Sequence, residues 1–155
     1  MIIDKNIKFN IVLFEPEIPQ NTGNIARLCA CTGADLYLIG KLGFSLTEKY
    51  VKRAGLDYWD SVNIFQIPSM EELLNKFQYS NFYYLTTKTQ KPYYKCEYKN
   101  GDFLVFGPET RGLPEDLLKK YKSQTLNIPM REGQRSLNLS NSVAVVLYEA
   151  LRQNL

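Results

Sequence analysis

Short, nearly continuous apolar runs recur along the chain, separated by segments whose apolar residues repeat at helical spacing. A run of consecutive apolar residues is typical of a strand that is buried on both faces. On this basis we predict strands at residues 8–15, 35–39, 62–67, 81–87, 102–106 and 124–128. The alternation of strands with helical segments predicts an α/β fold with a mainly parallel sheet flanked by helices.

Helical segments are predicted at residues 21–33, 69–77, 114–121 and 143–151. Asn21 and Ser69 are placed to cap the first two, because their side-chain oxygens can accept amide hydrogens of a first turn. Asn24 and Arg27 lie one turn apart and off the apolar stripe of the first helix. The last helix carries apolar residues on nearly every side. We therefore expect a second face of this helix to be buried, and another subunit is a candidate for burying it.

Three polar, glycine-bearing segments follow apolar runs, at residues 21–27, 107–112 and 128–142. The last contains Ser136, Asn138, Ser140 and Asn141, which are more capping residues than one helix needs. By itself this segment fits a ligand site and a capped, buried terminal helix equally well. The other two segments favour a ligand site, because ligand-binding residues of open α/β sheets gather at strand ends.

The bulk composition is that of an ordinary globular protein, with 45% hydrophobic and 23% charged residues among 155. We expect one domain, residues 1–155, with no repeat or linker. No apolar run is long enough to span a bilayer, and the first residues lack the regions of a signal peptide. We therefore expect a cytoplasmic protein with no membrane partner.

Cysteine and histidine content excludes several chemistries. Three cysteines are an odd number for a disulfide framework, and histidine is absent. Cys29 and Cys31 lie two apart in a predicted helix and therefore point in different directions. We expect no metal site, and serine–histidine or cysteine–histidine catalysis is excluded.

The net charge of +3 is too small to indicate a nucleic-acid partner by itself, but its distribution says more. Basic residues follow one another around a short helical pattern from Lys41 to Arg53, close to aromatic residues. The segment 88–99 contains four lysines and three tyrosines and has no clear period. Both are candidate RNA surfaces, since cations bind phosphates and aromatic rings stack on bases, although a solvated charged face is the commoner reading.

Six segments taken together resemble one family. They include FEPEIPQNTGNIARLC at 14–29, FGPETRGLP at 106–114 and RSLNLSNS at 135–142, with shorter matches at 42–44, 55–58 and 85–88. With these the chain resembles the SPOUT class of RNA methyltransferases along nearly its whole length. Within that class it is similar to the small single-domain tRNA ribose methyltransferases that act on the wobble nucleotide.

The resemblance implies a trefoil knot in the carboxy-terminal third and a homodimer through the C-terminal helix, with an active site completed across the interface. It implies S-adenosylmethionine as cofactor, S-adenosylhomocysteine as product, and no metal. The implied activity is 2′-O-methylation of the wobble nucleotide, a cytidine or a modified uridine, in the tRNA anticodon stem-loop.

Site residues follow from the same resemblance, position by position. It implies catalytic roles for Asn21, Arg27, Glu109 and Asn138. It places the cofactor against Leu85, Gly107, Ile128, Ser136 and Leu137, with Ser136 also a candidate on the substrate side. As RNA contacts we add the basic residues Lys41, Arg53, Lys88, Arg111 and Arg135, and the resemblance adds Tyr148.

The residue types suit this chemistry. Methyl transfer to a ribose hydroxyl is a direct displacement, so the chain must align two reactants and handle one proton. Arg27 can hold a substrate phosphate, but a guanidinium resists deprotonation strongly and the general base stays open. Glu109 can orient Arg27 or the ribose, or act only as a carboxylate at a helix start near Pro114. Gly107 would let the backbone approach an adenosine closely.

Three positions depart from the family pattern. Cys31 stands where asparagine is common, Trp59 where histidine is common, and Leu137 where methionine is common.

Three other functions stay open: a knotted module that binds RNA or cofactor without turnover, a methyltransferase for another RNA site, and a small-molecule α/β enzyme. The small-molecule enzyme is the least favoured, because the chain has neither a Gly-x-Gly-x-x-Gly turn for a nucleotide nor a histidine to act as a base.

Overall fold

The structure is a computed structural model that describes residues 1–47, 53 and 59–155. Residues 48–52 and 54–58, which include much of the basic segment after Lys41, lie outside this description. The strands are β1 (Asn10–Phe14), β2 (Asp35–Ile39), β3 (Ile64–Ile67), β4 (Phe82–Leu85), β5 (Phe103–Phe106) and β6 (Thr125–Leu126). They form one six-stranded sheet in the order β3-β2-β1-β5-β4-β6, in which every pairing is parallel. The predicted α/β class with a parallel sheet is confirmed.

The α-helices whose bounds lie within the described residues are α1 (Pro19–Thr32), α2 (Met70–Lys76), α3 (Glu115–Lys120) and α4 (Leu139–Asn154), and they flank this sheet. Helices α1 and α4 share one apolar core with the sheet face that carries Ile11 and Leu13. Helices α2 and α3 pack on the opposite face, which carries Val12. Because both faces are covered, the three consecutive residues Ile11, Val12 and Leu13 of strand β1 are all buried, which explains the continuous apolar run at this point of the sequence.

Two helices begin at least two residues earlier than predicted. Helix α1 begins at Pro19, so Asn21 lies inside it and the prediction that Asn21 caps the helix is wrong. Proline is well suited to a first turn because its missing N–H needs no partner there. Helix α4 begins at Leu139, four residues before the predicted start, and Asn138 is its cap. The Ser69 cap of α2 is confirmed, since the hydroxyl accepts the amide hydrogen of Glu72 at 3.2 Å.

The last strand, predicted over five residues, has only two. After Leu126 the backbone of Asn127 pairs with a loop and not with β4: its N–H donates to the carbonyl of Lys91 at 2.7 Å, and its carbonyl accepts the N–H of Tyr93 at 2.8 Å. The chain then runs through residues 128–138 to the start of α4. The trefoil knot implied for this third of the chain stays a prediction.

Helix α4 buries one stripe and exposes a second apolar one. The buried side chains are Leu139, Val143, Val146, Leu147, Ala150 and Leu151. On the outer side Val145, Tyr148 and Leu155 keep 37%, 50% and 54% of their surface exposed. The prediction of apolar residues on more than one side is confirmed, although the helix does present an exposed face within this chain. In the part of the chain that is described, no helix combines the length and hydropathy needed to cross a bilayer.

Candidate active site

A cavity of about 540 Å³ lies at the carboxyl ends of β4 and β5. Its walls come from the strand ends, from the loop at 107–113 and from the segment 128–142. Small-molecule sites usually occupy about 300–1,000 Å³ and sit at this edge of a parallel sheet. Two of the three polar segments singled out in the sequence, 107–112 and 128–142, therefore form one site, and the third supplies Asn21 to the same wall.

All the residues predicted to hold the cofactor line this cavity, namely Leu85, Gly107, Ile128, Ser136 and Leu137. Leu85 ends a buried strand, whereas Leu137 is 42% exposed and stands at the rim. The leucine and isoleucine side chains form an apolar wall, and Ser136 adds a hydroxyl to it. Such a wall suits a flat ring that is partly apolar and carries polar edges.

Gly107 is required by the shape of the loop. A Cβ atom at this position would lie 2.4 Å from the backbone carbon of Gly112 and 2.4 Å from the backbone nitrogen of Leu113. No side chain can be accommodated at such distances, so the loop can fold back on itself only with glycine here. The sequence led us to assign Gly107 to close approach of a ligand, whereas the structure shows that its first role is this contact between two parts of one loop.

Two glutamates clamp the loop after β1 to the loop after β5. The Glu17 carboxylate accepts hydrogen bonds from the backbone N–H of Thr110 at 3.0 Å and from its hydroxyl at 2.7 Å. These bonds hold the pKa of Glu17 below its usual range. In return, the Glu109 carboxylate accepts the backbone N–H groups of Glu17 at 2.8 Å and of Ile18 at 3.1 Å. Glu109 therefore supports the start of α1, which has no side-chain cap of its own.

Glu15 adds an ion pair to the same clamp. Its carboxylate lies 3.0 Å from a guanidinium nitrogen of Arg111, which was predicted to contact RNA. Glu15 also has a φ angle of 44°, a left-handed backbone conformation that residues other than glycine rarely adopt. Strained backbone of this kind tends to cluster at functional sites, where the surrounding contacts hold it in place.

Three of the four predicted catalytic residues form one hydrogen-bonded chain at the cavity wall. The side-chain amide of Asn21 donates to Glu109 at 3.4 Å, and the amide of Asn138 donates to the Asn21 oxygen at 3.1 Å. The Asn138 oxygen in turn accepts from the Ser140 hydroxyl at 2.6 Å and from the N–H of Asn141 at 3.2 Å. This chain joins the beginnings of α1 and α4 and fixes polar groups beside the cavity.

The fourth predicted catalytic residue, Arg27, is not part of this chain. It is exposed and does not line the cavity. At 100° per residue it lies about 240° around α1 from Asn21, on the outer face of the helix with Gln20, Asn24 and Cys31. Within one protomer the structure therefore does not bring Arg27 together with the other three residues, and its role stays a prediction.

The predicted RNA contacts divide into two groups. Lys88, Arg111 and Arg135 line the cavity. Lys88 also pairs with Glu115 at 3.2 Å. Lys41, Arg53 and Tyr148 are exposed elsewhere, with Tyr148 on the outer face of α4. None of these assignments is tested by the geometry alone.

Several residues of the site were given no role in it from the sequence, although they lie in or next to the segments noted there. Thr86, Thr87 and Met130 line the cavity, and Glu15 and Glu17 hold its loop. The two threonines directly follow an apolar strand, and the two glutamates flank Pro16 at the end of another. Polar residues at strand ends were thus a usable signal. Within the described ranges, no cluster of three or more histidine, cysteine, aspartate or glutamate side chains could hold a metal ion.

Comparison with known proteins defines the class of this site. The model of the SpoU rRNA Methylase family matches residues 8–148, and the chain therefore belongs to that family. A tRNA (cytidine(34)-2′-O)-methyltransferase of Photorhabdus asymbiotica is 50% identical over 150 residues, which cover 93% of either chain.

Two solved structures extend the comparison. One, described as structural insights into the 2-OH methylation of C/U34 on tRNA, matches with a TM-score of 0.92 and 42% identity over 96% of this chain and 97% of that one. Another is the SpoU methyltransferase AviRb from Streptomyces viridochromogenes in complex with the cofactor AdoMet, with a TM-score of 0.84 and 23% identity. It covers 94% of this chain and 57% of its own, and at that identity it supports the fold alone.

Proposed function

We propose that the chain is an S-adenosylmethionine-dependent methyltransferase acting on the ribose 2′-hydroxyl of tRNA position 34, a cytidine or a modified uridine, in the cytoplasm. One observation carries this proposal. The hydrogen-bonded chain of Glu109, Asn21 and Asn138 stands beside a cavity lined by every residue expected to hold the cofactor. The names of relatives that share about half of the sequence support the choice of substrate.

The cavity fits the proposed cofactor in size and in the chemistry of its walls. It measures about 540 Å³, and Leu85, Ile128 and Leu137 offer apolar surface for an adenine ring. The loop around Gly107 adds backbone amides and carbonyls that can bind the polar edge of such a ring. When bound, S-adenosylmethionine supplies an electrophilic methyl group. No metal is needed for a displacement of this kind.

The chain's own residues align the reacting hydroxyl. Asn21 and Asn138 hold each other in place, so their remaining hydrogen-bonding capacity points at fixed positions beside the cavity. Glu109 acts by positioning α1, because both of its carboxylate oxygens accept backbone hydrogen bonds. With the cofactor bound, the new O–C bond would form as the S–CH3 bond breaks, S-adenosylhomocysteine would be the leaving group, and the hydroxyl proton would pass to solvent; no covalent link to the protein is required.

Arg27 enters this scheme through a second protomer. We infer a homodimer in which the outer face of α4, with Val145, Tyr148 and Leu155, packs on its equivalent. Exposed apolar side chains on one helix face support this arrangement, because such patches commonly mark interfaces. Arg27 lies on the outer face of α1, the helix that packs beside α4. From there its guanidinium would bind a phosphate of the tRNA held at the partner's cavity.

The test is methylation of natural RNA. The purified protein is incubated with S-adenosylmethionine and bulk tRNA from a strain that lacks the gene, and digested nucleosides and anticodon fragments are analysed by mass spectrometry. We expect a new ribose-methylated nucleotide at position 34. A methyl group at another position would assign a different RNA site. Binding of the cofactor without any transfer would favour a module that binds and does not catalyse.

A further inference from the structure

A short turn at residues 91–95 lies beside the end of β6, where the chain leads into the cavity wall. It is joined to the end of β6 by the two backbone hydrogen bonds between Asn127 and residues Lys91 and Tyr93, at 2.7 and 2.8 Å. Asn127 directly precedes Ile128, which lines the cavity, and the turn follows Lys88, which lines it too. The first part of the turn is therefore anchored beside a strand end that leads into the cavity wall.

Further contacts hold the turn rigidly. The N–H of Lys95 donates to the carbonyl of Pro92 at 3.1 Å, closing a single helical turn. The Tyr98 hydroxyl donates to the carbonyl of Tyr93 at 2.7 Å. Gln153 of α4 donates to the carbonyl of Cys96 at 3.0 Å and accepts the N–H of Tyr98 at 2.9 Å. A segment tied to β6 and to α4 presents its outer side chains in a fixed arrangement.

Those outer side chains are one aromatic ring and two cations. Tyr94 is 51% exposed, and its ring is held edge-on against Tyr93 with 5.4 Å between the centroids. Lys91 and Lys95 are exposed. Among the residues that the structure describes, neither lysine forms a salt bridge, whereas Lys88 at the cavity is paired with Glu115. The turn thus presents two lysines without salt bridges beside an aromatic ring, and the nearest carboxylate along the chain is the exposed Glu97, two residues after Lys95.

We propose that the turn at 91–95 is a second RNA-contact site, outside the cavity, that positions the anticodon loop for methylation. Tyr94 stacks on an unpaired base next to the target nucleotide, and Lys91 and Lys95 bind the flanking phosphates. Single-stranded RNA is commonly bound in this way, because every base offers a ring face and every linkage a charge. This inference rests on the proposed function, since it takes tRNA as the substrate.

Equilibrium binding of labelled bulk tRNA from the deletion strain tests the aromatic contact. Tyr94→Ala should weaken binding about tenfold, as expected for loss of one stacked base, and Tyr94→Phe should bind like the wild type because the ring is kept. Since Tyr94 is half exposed, neither substitution should disturb the core. Tyr94→Ala binding as tightly as the wild type would overturn the stacking role.

Salt dependence tests the cations. For single-stranded nucleic acid each phosphate contact contributes roughly 0.7 to the slope of log affinity against log salt, so Lys91→Ala/Lys95→Ala should reduce the slope by about 1.4. The matched control is Lys119→Ala/Lys122→Ala, which removes two exposed lysines, one in the last turn of α3 and one just after it, neither of which lines the cavity. Equal losses of slope in the two double variants would contradict a specific site on the turn.

Turnover separates this inference from the proposed function. Each of the Tyr94→Ala and Lys91→Ala/Lys95→Ala variants should raise the KM for tRNA with kcat and cofactor binding unchanged, because the turn does not line the cavity. If the wild type methylates tRNA and these variants show an unchanged KM, the contact site is refuted and the function stands. If the wild type binds tRNA through the turn and never methylates it, the function fails and the contact site stands. A wild type that neither binds nor methylates tRNA refutes both.

Discussion

Single residues at this site have structural roles that their type does not reveal in isolation. The catalytic role of Glu109 stays a prediction, and its carboxylate also holds the beginning of α1 from a loop 92 positions away. Asn21 looks like a helix cap and is instead a link between Glu109 and Asn138. Gly107 looks like a ligand contact and is first a requirement of its own loop. These roles depend on contacts between distant parts of the chain, which no local pattern encodes.

Gly107→Ala should abolish cofactor binding. Its Cβ would overlap the backbone at Gly112 and Leu113, so the loop that forms one wall must move. Overpacking of this kind usually costs about 1–3 kcal/mol of folding stability. Gly33→Ala is the matched control. Its backbone, at φ 76°, favours glycine, so alanine is strained there, but nothing lies within 4 Å of the added carbon and Gly33 does not line the cavity. Calorimetric titration with S-adenosylmethionine should show binding by the control and none by Gly107→Ala.

Arg27→Ala should abolish methyl transfer while cofactor binding is retained, because Arg27 does not line the cavity and is assigned to the tRNA. Lys76→Ala, which removes a cation at the end of α2 on the other side of the sheet, should leave transfer unchanged. Transfer is measured with labelled S-adenosylmethionine and binding by calorimetry. Loss of cofactor binding in Arg27→Ala would show that the assignment to the substrate side is wrong.

At the scale of elements, the sequence predicted more than it did at the scale of residues. The apolar runs located the six strands, because the sheet is covered on both faces at its centre, where Ile11–Leu13 of β1 and all of β5 are buried. The edge strand β3 is less covered, and Gln66 is exposed within it. Strand β6 was predicted too long, since Asn127 turns from β4 to the loop at 91–93 for its hydrogen bonds. The order of the strands in the sheet could not be predicted, because it depends on how the helices pack together on each face of the sheet. The position of the cavity could be predicted from the strand ends alone. The clamp between residues 15–18 and 109–111 could not, because it joins two loops that are distant in the sequence.

The clamp predicts a pH-dependent contribution to stability. Hydrogen bonds from Thr110 lower the pKa of Glu17 in the folded chain, so this carboxylate stabilises the fold at pH values above 4.5, its ordinary pKa, and the contribution is lost as the pH falls through the folded pKa. Glu17→Gln should therefore lower the Tm at pH 7 and differ less from the wild type as the pH falls below 4.5. Thermal unfolding of both proteins across this pH range measures the difference. A gap that is constant with pH would show that ionisation of Glu17 does not matter to the clamp.

For the whole molecule, the central feature is the separation of Arg27 from the other predicted catalytic residues. One protomer holds the cavity, the amide chain and the clamp, while Arg27 and the apolar side chains of α4 face outward. A symmetric dimer through that face would unite them, since each copy would offer its outer helices to the other. The homodimer was expected from the resemblance and stays a prediction, but the outward apolar face is now assigned to Val145, Tyr148 and Leu155.

Val145→Glu should convert the proposed dimer to monomers in sedimentation velocity, because it places a charge at the centre of the outer face of α4. Tyr79→Glu is the control, since Tyr79 is 95% exposed in the turn after α2 and should leave the mass unchanged. A wild type that sediments as a monomer at every concentration would refute the dimer.

If the site is shared, mixing Arg27→Ala with Asn138→Ala should restore part of the activity that each variant lacks, because one site of a mixed dimer would be intact.

The most direct test of the account is methyl transfer to two versions of one tRNA anticodon stem-loop that differ only in the sugar of the nucleotide at position 34. One version carries ribose there and the other 2′-deoxyribose, and transfer from methyl-labelled S-adenosylmethionine is measured for both. The account predicts labelling of the ribose version and none of the deoxy version. Equal labelling of the two would place the methyl group elsewhere, and no labelling of either, with cofactor bound, would contradict the assignment of this site to methyl transfer.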